Sequence, residues 1–215
     1  MNKNYSLKKN SLYLIAGYIL MAIGIALSVR SHLGLSPWDV LNEGFSKSFN
    51  VSFGMANLII SFIVIILACL IKIYPGIGTF INSLIVGFLI DSAMLFIPNA
   101  QSFIMQLIFG LLGVFILAIG TVFYIVVDLG AGPRDNLLLG VILKFKTDTT
   151  YVKPILEGLV LILGFILGGT IGLGTILALL LTGYFMDIFF RLLKFDPKEI
   201  KQKNIFEQIK EIGVK

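Results

Sequence analysis

Apolar residues fall into six long runs, at 12–29, 53–71, 77–97, 103–127, 152–167 and 171–193. Short stretches rich in Gly, Pro, Asn and charge separate them. About 20 apolar residues wound as a helix cross the hydrocarbon core of a bilayer, which is ~30 Å thick. A transmembrane barrel would need short alternating segments, and these runs are continuous. The pattern predicts an all-α, polytopic membrane protein with six spans. Turns at Pro75-Gly76, Pro98-Asn99-Ala100 and Gly168-Gly169-Thr170 precede the third, fourth and sixth spans.

Two intervals are not spans, and they resemble each other. One reads Leu33-Gly34-Leu35-Ser36-Pro37-Trp38-Asp39, the other Leu129-Gly130-Ala131-Gly132-Pro133-Arg134-Asp135. Aligning Gly34 with Gly130 sets an offset of 96 (130 − 34). At that offset Gly17 meets Gly113, Gly24 meets Gly120, Gly44 meets Gly140, Gly76-Ile77-Gly78-Thr79 meets Gly172-Leu173-Gly174-Thr175, and Asp91 meets Asp187, without a gap. Chance similarity between apolar helices matches Leu with Ile; it does not hold this many Gly, Pro and Asp residues in register. The chain therefore reads as a duplication: residues 1–97 and 98–195 each carry three spans, and residues 196–215 form a basic tail. An odd number of spans per copy predicts that the copies are inverted relative to each other in the membrane.

Each repeat adds a short element after its first span. Gly34 and Gly130 can end that span. Ser36 and Gly132 are N-cap candidates, Pro37 and Pro133 suit the first helical position, and Asp39 and Asp135 fall at the third. The resulting helices, 37–49 and 133–146, are too short and too charged to cross a bilayer. Two readings stay open. The helices lie along the membrane surface, or they are half-helices folded into the protein, their positive N-terminal ends offered to a substrate path, one toward each face.

Composition sharpens this picture. Hydrophobic residues make up 57% and charged residues 13%, and mean hydropathy is +0.97. The net charge of +5 comes from basic residues that flank the spans, which does not suggest nucleic acid. Lys3, Lys8 and Lys9, then Lys72, then Arg134, Lys144, Lys146 and Lys153 fall on one side with the tail. The positive-inside rule then places both termini in the cytoplasm. The lysines before the first run imitate a signal peptide, but the run is long and lacks a convincing cleavage site, so it reads as a retained span. The single Cys69 makes no intrachain disulfide. No metal-ligand spacing, nucleophile elbow or phosphate-cradling loop is present, so neither an enzyme, a metal site nor a cofactor is expected.

Ionisable residues within or beside spans mark the candidate sites. Asp91 and Asp187 are proton or cation candidates, with Arg191 placed to pair with Asp187. Arg30 and His32 flank the first motif, and Arg134 lies within the second. With Asp39, Asp135, Pro37, Pro133 and Trp38, these residues are the expected substrate path or ion site. The competing reading makes the Asp and Arg residues structural pairs, and Trp38 an interfacial anchor. Asn57 and Glu157 read more simply as helix–helix or snorkelling polar groups.

Through Leu33–Asp39, Gly130–Asp135 and Gly172–Thr175, the chain resembles the YczE/YyaS/YitT family of bacterial membrane proteins, closest to its shorter YczE-like members. The resemblance runs to about residue 193 and implies a bacterial cytoplasmic-membrane protein, without implying a substrate. Two functions are expected to compete. One is a small secondary transporter or channel for a small anionic or zwitterionic solute. The other is a non-transporting scaffold or accessory protein that acts through partner contacts. The expected partners are the lipid bilayer and a small-molecule substrate; such a bundle could work alone or as a homodimer.

Overall fold

The computed structural model describes residues 7–127 and 132–195. These form α1 (Leu7–Ser31), α2 (Pro37–Phe49), α3 (Phe53–Leu70), α4 (Ile77–Phe96), α5 (Phe103–Val126), α6 (Pro133–Phe145), α7 (Thr149–Ile166) and α8 (Leu173–Leu192). Among the described residues there is no strand. Six helices, α1, α3, α4, α5, α7 and α8, are long and apolar enough to cross a membrane. A helix satisfies its own backbone polar groups, as the hydrocarbon interior requires. Large side chains such as Leu95 and Phe96 stay 85% exposed in the isolated chain, as a lipid-facing surface does. The tail 196–215 and the Asp128–Ala131 break of the second motif lie outside the described residues.

The helix order of the first half recurs in the second. Phe103, Pro133, Thr149 and Leu173, which open α5 to α8, follow Leu7, Pro37, Phe53 and Ile77 by 96 residues each. The halves meet along α1 and α5. A Cβ on Gly17 would lie 3.0 Å from the Gly120 carbonyl oxygen, and one on Gly24 would lie 2.8 Å from that of Gly113. A low residue on α1 thus meets a high residue on α5, so the two helices run antiparallel. Small residues let the backbones approach this closely, which is how helices associate where lipid offers no hydrophobic drive.

The other conspicuous glycines join the halves as well. Gly34 adopts φ +104°, a left-handed conformation that favours glycine. Its α-carbon packs against Gly172, and the Gly174 N–H donates to the Leu33 carbonyl at 2.8 Å. The short helices dock across the division too, α2 on α7 and α6 on α3. Pro37, Asp39, Val40, Asn42 and Gly44 of α2 are buried, so α2 is folded into the protein and does not lie on its surface.

The halves are not identical in packing. α3 lies against α4, with Gly54 and Gly87 in backbone contact. Their counterparts α7 and α8 barely touch, and a Cβ on Gly158 or Gly183 would meet nothing within 4 Å.

Candidate functional site

Pro is at home in the first turn of a helix because its missing N–H is unneeded there. Pro37 and Pro133 each follow an extended residue, Ser36 and Gly132, and open α2 and α6. Neither N-terminus receives a side-chain cap. The Ser36 hydroxyl, expected to cap α2, donates instead to the Asp39 carboxylate at 2.6 Å. A carboxylate is the stronger acceptor, and it turns the hydroxyl away from the backbone N–H groups.

Both N-termini open on one cavity of about 250 Å³, lined by residues from all eight helices. The expectation of one site toward each face is therefore corrected. The two motifs converge because α2 and α6 are each packed on the opposite half. Trp38, Arg134 and Asp135 line the cavity with Pro37 and Pro133. Asp39 lies just behind the wall, 2% exposed.

Arg134 joins the halves chemically. Its Nη2 donates to Asp39 Oδ1 at 3.1 Å and to Asn57 Oδ1 at 3.0 Å. Its guanidinium lies over the Trp38 ring, 5.5 Å from the centroid, a favourable stacking of a cation on an aromatic face. Asn42 completes the network, donating to Asp39 at 3.3 Å and to Asn57 at 3.1 Å. At the same start of α6, the Tyr124 hydroxyl donates to Asp135 Oδ2 and accepts the Gly132 N–H at 3.4 Å. Lys153 and Glu157 face the cavity from α7, 3.8 Å apart.

Four candidates lie elsewhere. Arg30 donates to Asn99 Oδ1 at 2.9 Å and to the Met94 carbonyl at 2.6 Å, and His32 Nε2 lies 3.0 Å from the same Asn99 oxygen. They clasp the loop that links the two halves. Asp91 accepts from the Gly54 N–H at 2.7 Å and the Ser52 hydroxyl at 2.5 Å, so it holds the start of α3 against α4. Asp187 pairs with Arg191 at 2.7 Å, but the two side chains are 59% and 80% exposed, and neither lines the cavity.

Sequence reasoning passed over Tyr124, Asn82 and Lys153. A polar side chain in the middle of an apolar run was the available signal. Asn82 in α4 is 7% exposed and reaches the cavity wall, and Lys153 occupies the register position of Asn57.

Residues 8–191 match the family of unknown function DUF6198. This chain belongs to that family. It is 33% identical over 177 residues to an uncharacterized protein of Haemophilus influenzae, a match that covers 80% of this chain and 81% of the relative. It is 31% identical over 173 residues to the uncharacterized membrane protein YczE of Bacillus subtilis, covering 80% of each chain. It is 30% identical over 182 residues to the uncharacterized protein YyaS of the same organism, covering 83% of this chain and 90% of the relative. No solved structure matches. The YczE-like resemblance read from the motifs is thus the family of the chain, and six apolar helices with a membrane-protein relative make it a multi-pass membrane protein.

Proposed function

We propose that this protein is a small secondary carrier that moves a small polar solute across the bacterial cytoplasmic membrane. The observation that supports this best is the shared cavity, with two uncapped helix N-termini and a charged wall held between two similar halves. Ionisable groups among membrane spans are costly, and they are retained where they serve a polar path. A scaffold working through its tail would leave this lining without a purpose.

The antiparallel α1–α5 pair and the recurring helix order support an inverted repeat. With the N-terminus in the cytoplasm, α3 and α4 meet near the outer face, where Asp91 fastens them. The separated ends of α7 and α8 then face the cytoplasm. One gate closed and its counterpart open is the arrangement of a carrier that exposes its site to one side at a time. Pro154 inside α7 removes a helical hydrogen bond close to the open end, so α7 can bend there.

The test uses purified protein in liposomes and a panel of labelled amino acids, carboxylic acids and sugars. At least one solute is expected to accumulate. A disulfide between Ser52→Cys and Asp91→Cys, in a Cys69→Ala background, should stop uptake until reductant is added. Uptake that ignores the cross-link, or no uptake of any solute, overturns the carrier reading.

A further inference from the structure

The cavity wall holds hydrogen-bond donors that the protein itself does not use. Arg134 serves both of its protein acceptors through Nη2, which leaves Nη1 and Nε without an acceptor among the described residues. Asn82 Nδ2 is buried at the wall with no partner among the described residues. A buried donor left unmatched costs about 1–3 kcal/mol, so retaining one at a cavity points to a ligand that supplies the acceptor. The uncapped N-termini of α2 and α6 add their positive ends at the same cavity. All these groups are donors, and they suit an oxyanion.

Beside these donors the cavity holds one unpaired carboxylate among the described residues. Asp39 is matched by Arg134, and Lys153 by Glu157. Asp135 is hydrogen-bonded to the neutral Tyr124 hydroxyl and sits in the field of the Glu157 carboxylate, and it makes no ion pair among the described residues. A ligand that carried only a carboxylate would satisfy the donors and leave this charge uncompensated. A bare amine would leave the donors idle.

We infer that the cavity is a two-pole site for a small zwitterion, whose carboxylate meets Arg134, Asn82 and the two helix ends while its ammonium meets Asp135. The inference rests on the carrier reading for the purpose of binding, but not for binding itself.

Trp38 is the only tryptophan of the chain and lines the cavity beneath Arg134, so its fluorescence reports occupancy directly. The probes are glycine, alanine, β-alanine and γ-aminobutyrate, each compared with its methyl ester and its deaminated acid, titrated to 10 mM (about tenfold above a weak Kd of ~1 mM) into protein in nanodiscs. At least one amino acid should change the Trp38 signal saturably, and its ester and deaminated acid should bind at least tenfold more weakly. Asn82→Leu removes an unpaired donor, so it should leave thermal stability unchanged and weaken binding about tenfold. Arg134→Lys keeps the charge but loses the planar edge, and should weaken binding by a similar factor. The inference is overturned if no amino acid alters the signal, if an ester binds as well as its parent, or if Asn82→Leu binds normally. Saturable binding without uptake into liposomes would keep this site and remove the carrier reading. Uptake of another solute without zwitterion binding would do the reverse.

Discussion

Replacing Arg134 with Met, which keeps bulk but removes charge, strips Asp39 of its only cationic partner among the described residues. Asp39 is 2% exposed and keeps two neutral donors, Ser36 at 2.6 Å and Asn42 at 3.3 Å. Breaking a buried ion pair on one side costs about 3–5 kcal/mol. The two remaining donors, and an Arg134 side chain already 25% exposed, place this case at the lower end, about 3 kcal/mol. For a chain of this size that is a fall of roughly 6–12 °C in Tm. Adding Asp39→Asn to Arg134→Met removes the stranded charge and should recover about 2 kcal/mol, so the two changes are strongly non-additive. Thermal unfolding of the two single variants, the double variant and the parent protein in nanodiscs measures this cycle. If the single losses add within about 0.5 kcal/mol, the link between the halves is not the one drawn from these distances.

Four further outcomes follow from the geometry. Asp91→Asn replaces one of the two carboxylate oxygens that hold Ser52 and Gly54, which should cost roughly 1–2 kcal/mol and raise thiol-reagent access to Ser52→Cys; Asp187→Ala, at an exposed i,i+4 pair, should change stability by less than about 0.5 kcal/mol. Gly34→Ala should lose roughly 1–3 kcal/mol or fail to fold, because its φ of +104° and the approach of Gly172 both exclude a side chain; yield and Tm report it. The Thr150 N–H and hydroxyl bonds hold the Asp148 carboxyl below its ordinary value of 3.8. The stabilisation is present above that ordinary value and lost as pH falls through the depressed one, so amide protection factors at the start of α7, corrected for intrinsic exchange, should fall only below about pH 4.

Helix number and kind were legible because each span is an unbroken apolar run, and a bilayer demands little more of a sequence. The recurrence of helix order at an offset of 96 residues was legible because Gly, Pro and Asp answer to backbone geometry, so they hold register while Leu and Ile drift. What the motifs bring together was not. Trp38 and Arg134 occupy equivalent positions in the two copies, but only the antiparallel packing of α1 on α5 sets one against the other. Asp91 and Asp187 look equivalent in sequence, yet only Asp91 finds a neighbour to cap. The difference lies in Gly54, opposite Asp91, whose counterpart is Thr150, and in the gap between α7 and α8. Arg30 and His32 sit beside a motif in the chain but turn toward the linker loop, a contact the second copy has no residues to reproduce.

The pairing of like backbones with unlike side chains has a consequence for recognition. Two identical copies around a shared axis would accept a guest equally well either way round. Trp38 opposite Arg134, Asn57 in register with Lys153, Ser61 with Glu157 and Asn82 with Ala178 abolish that equivalence. If the proposed carrier reading holds, the repeated scaffold would supply the two-faced motion, and the unlike side chains would give the guest a single head and a single tail.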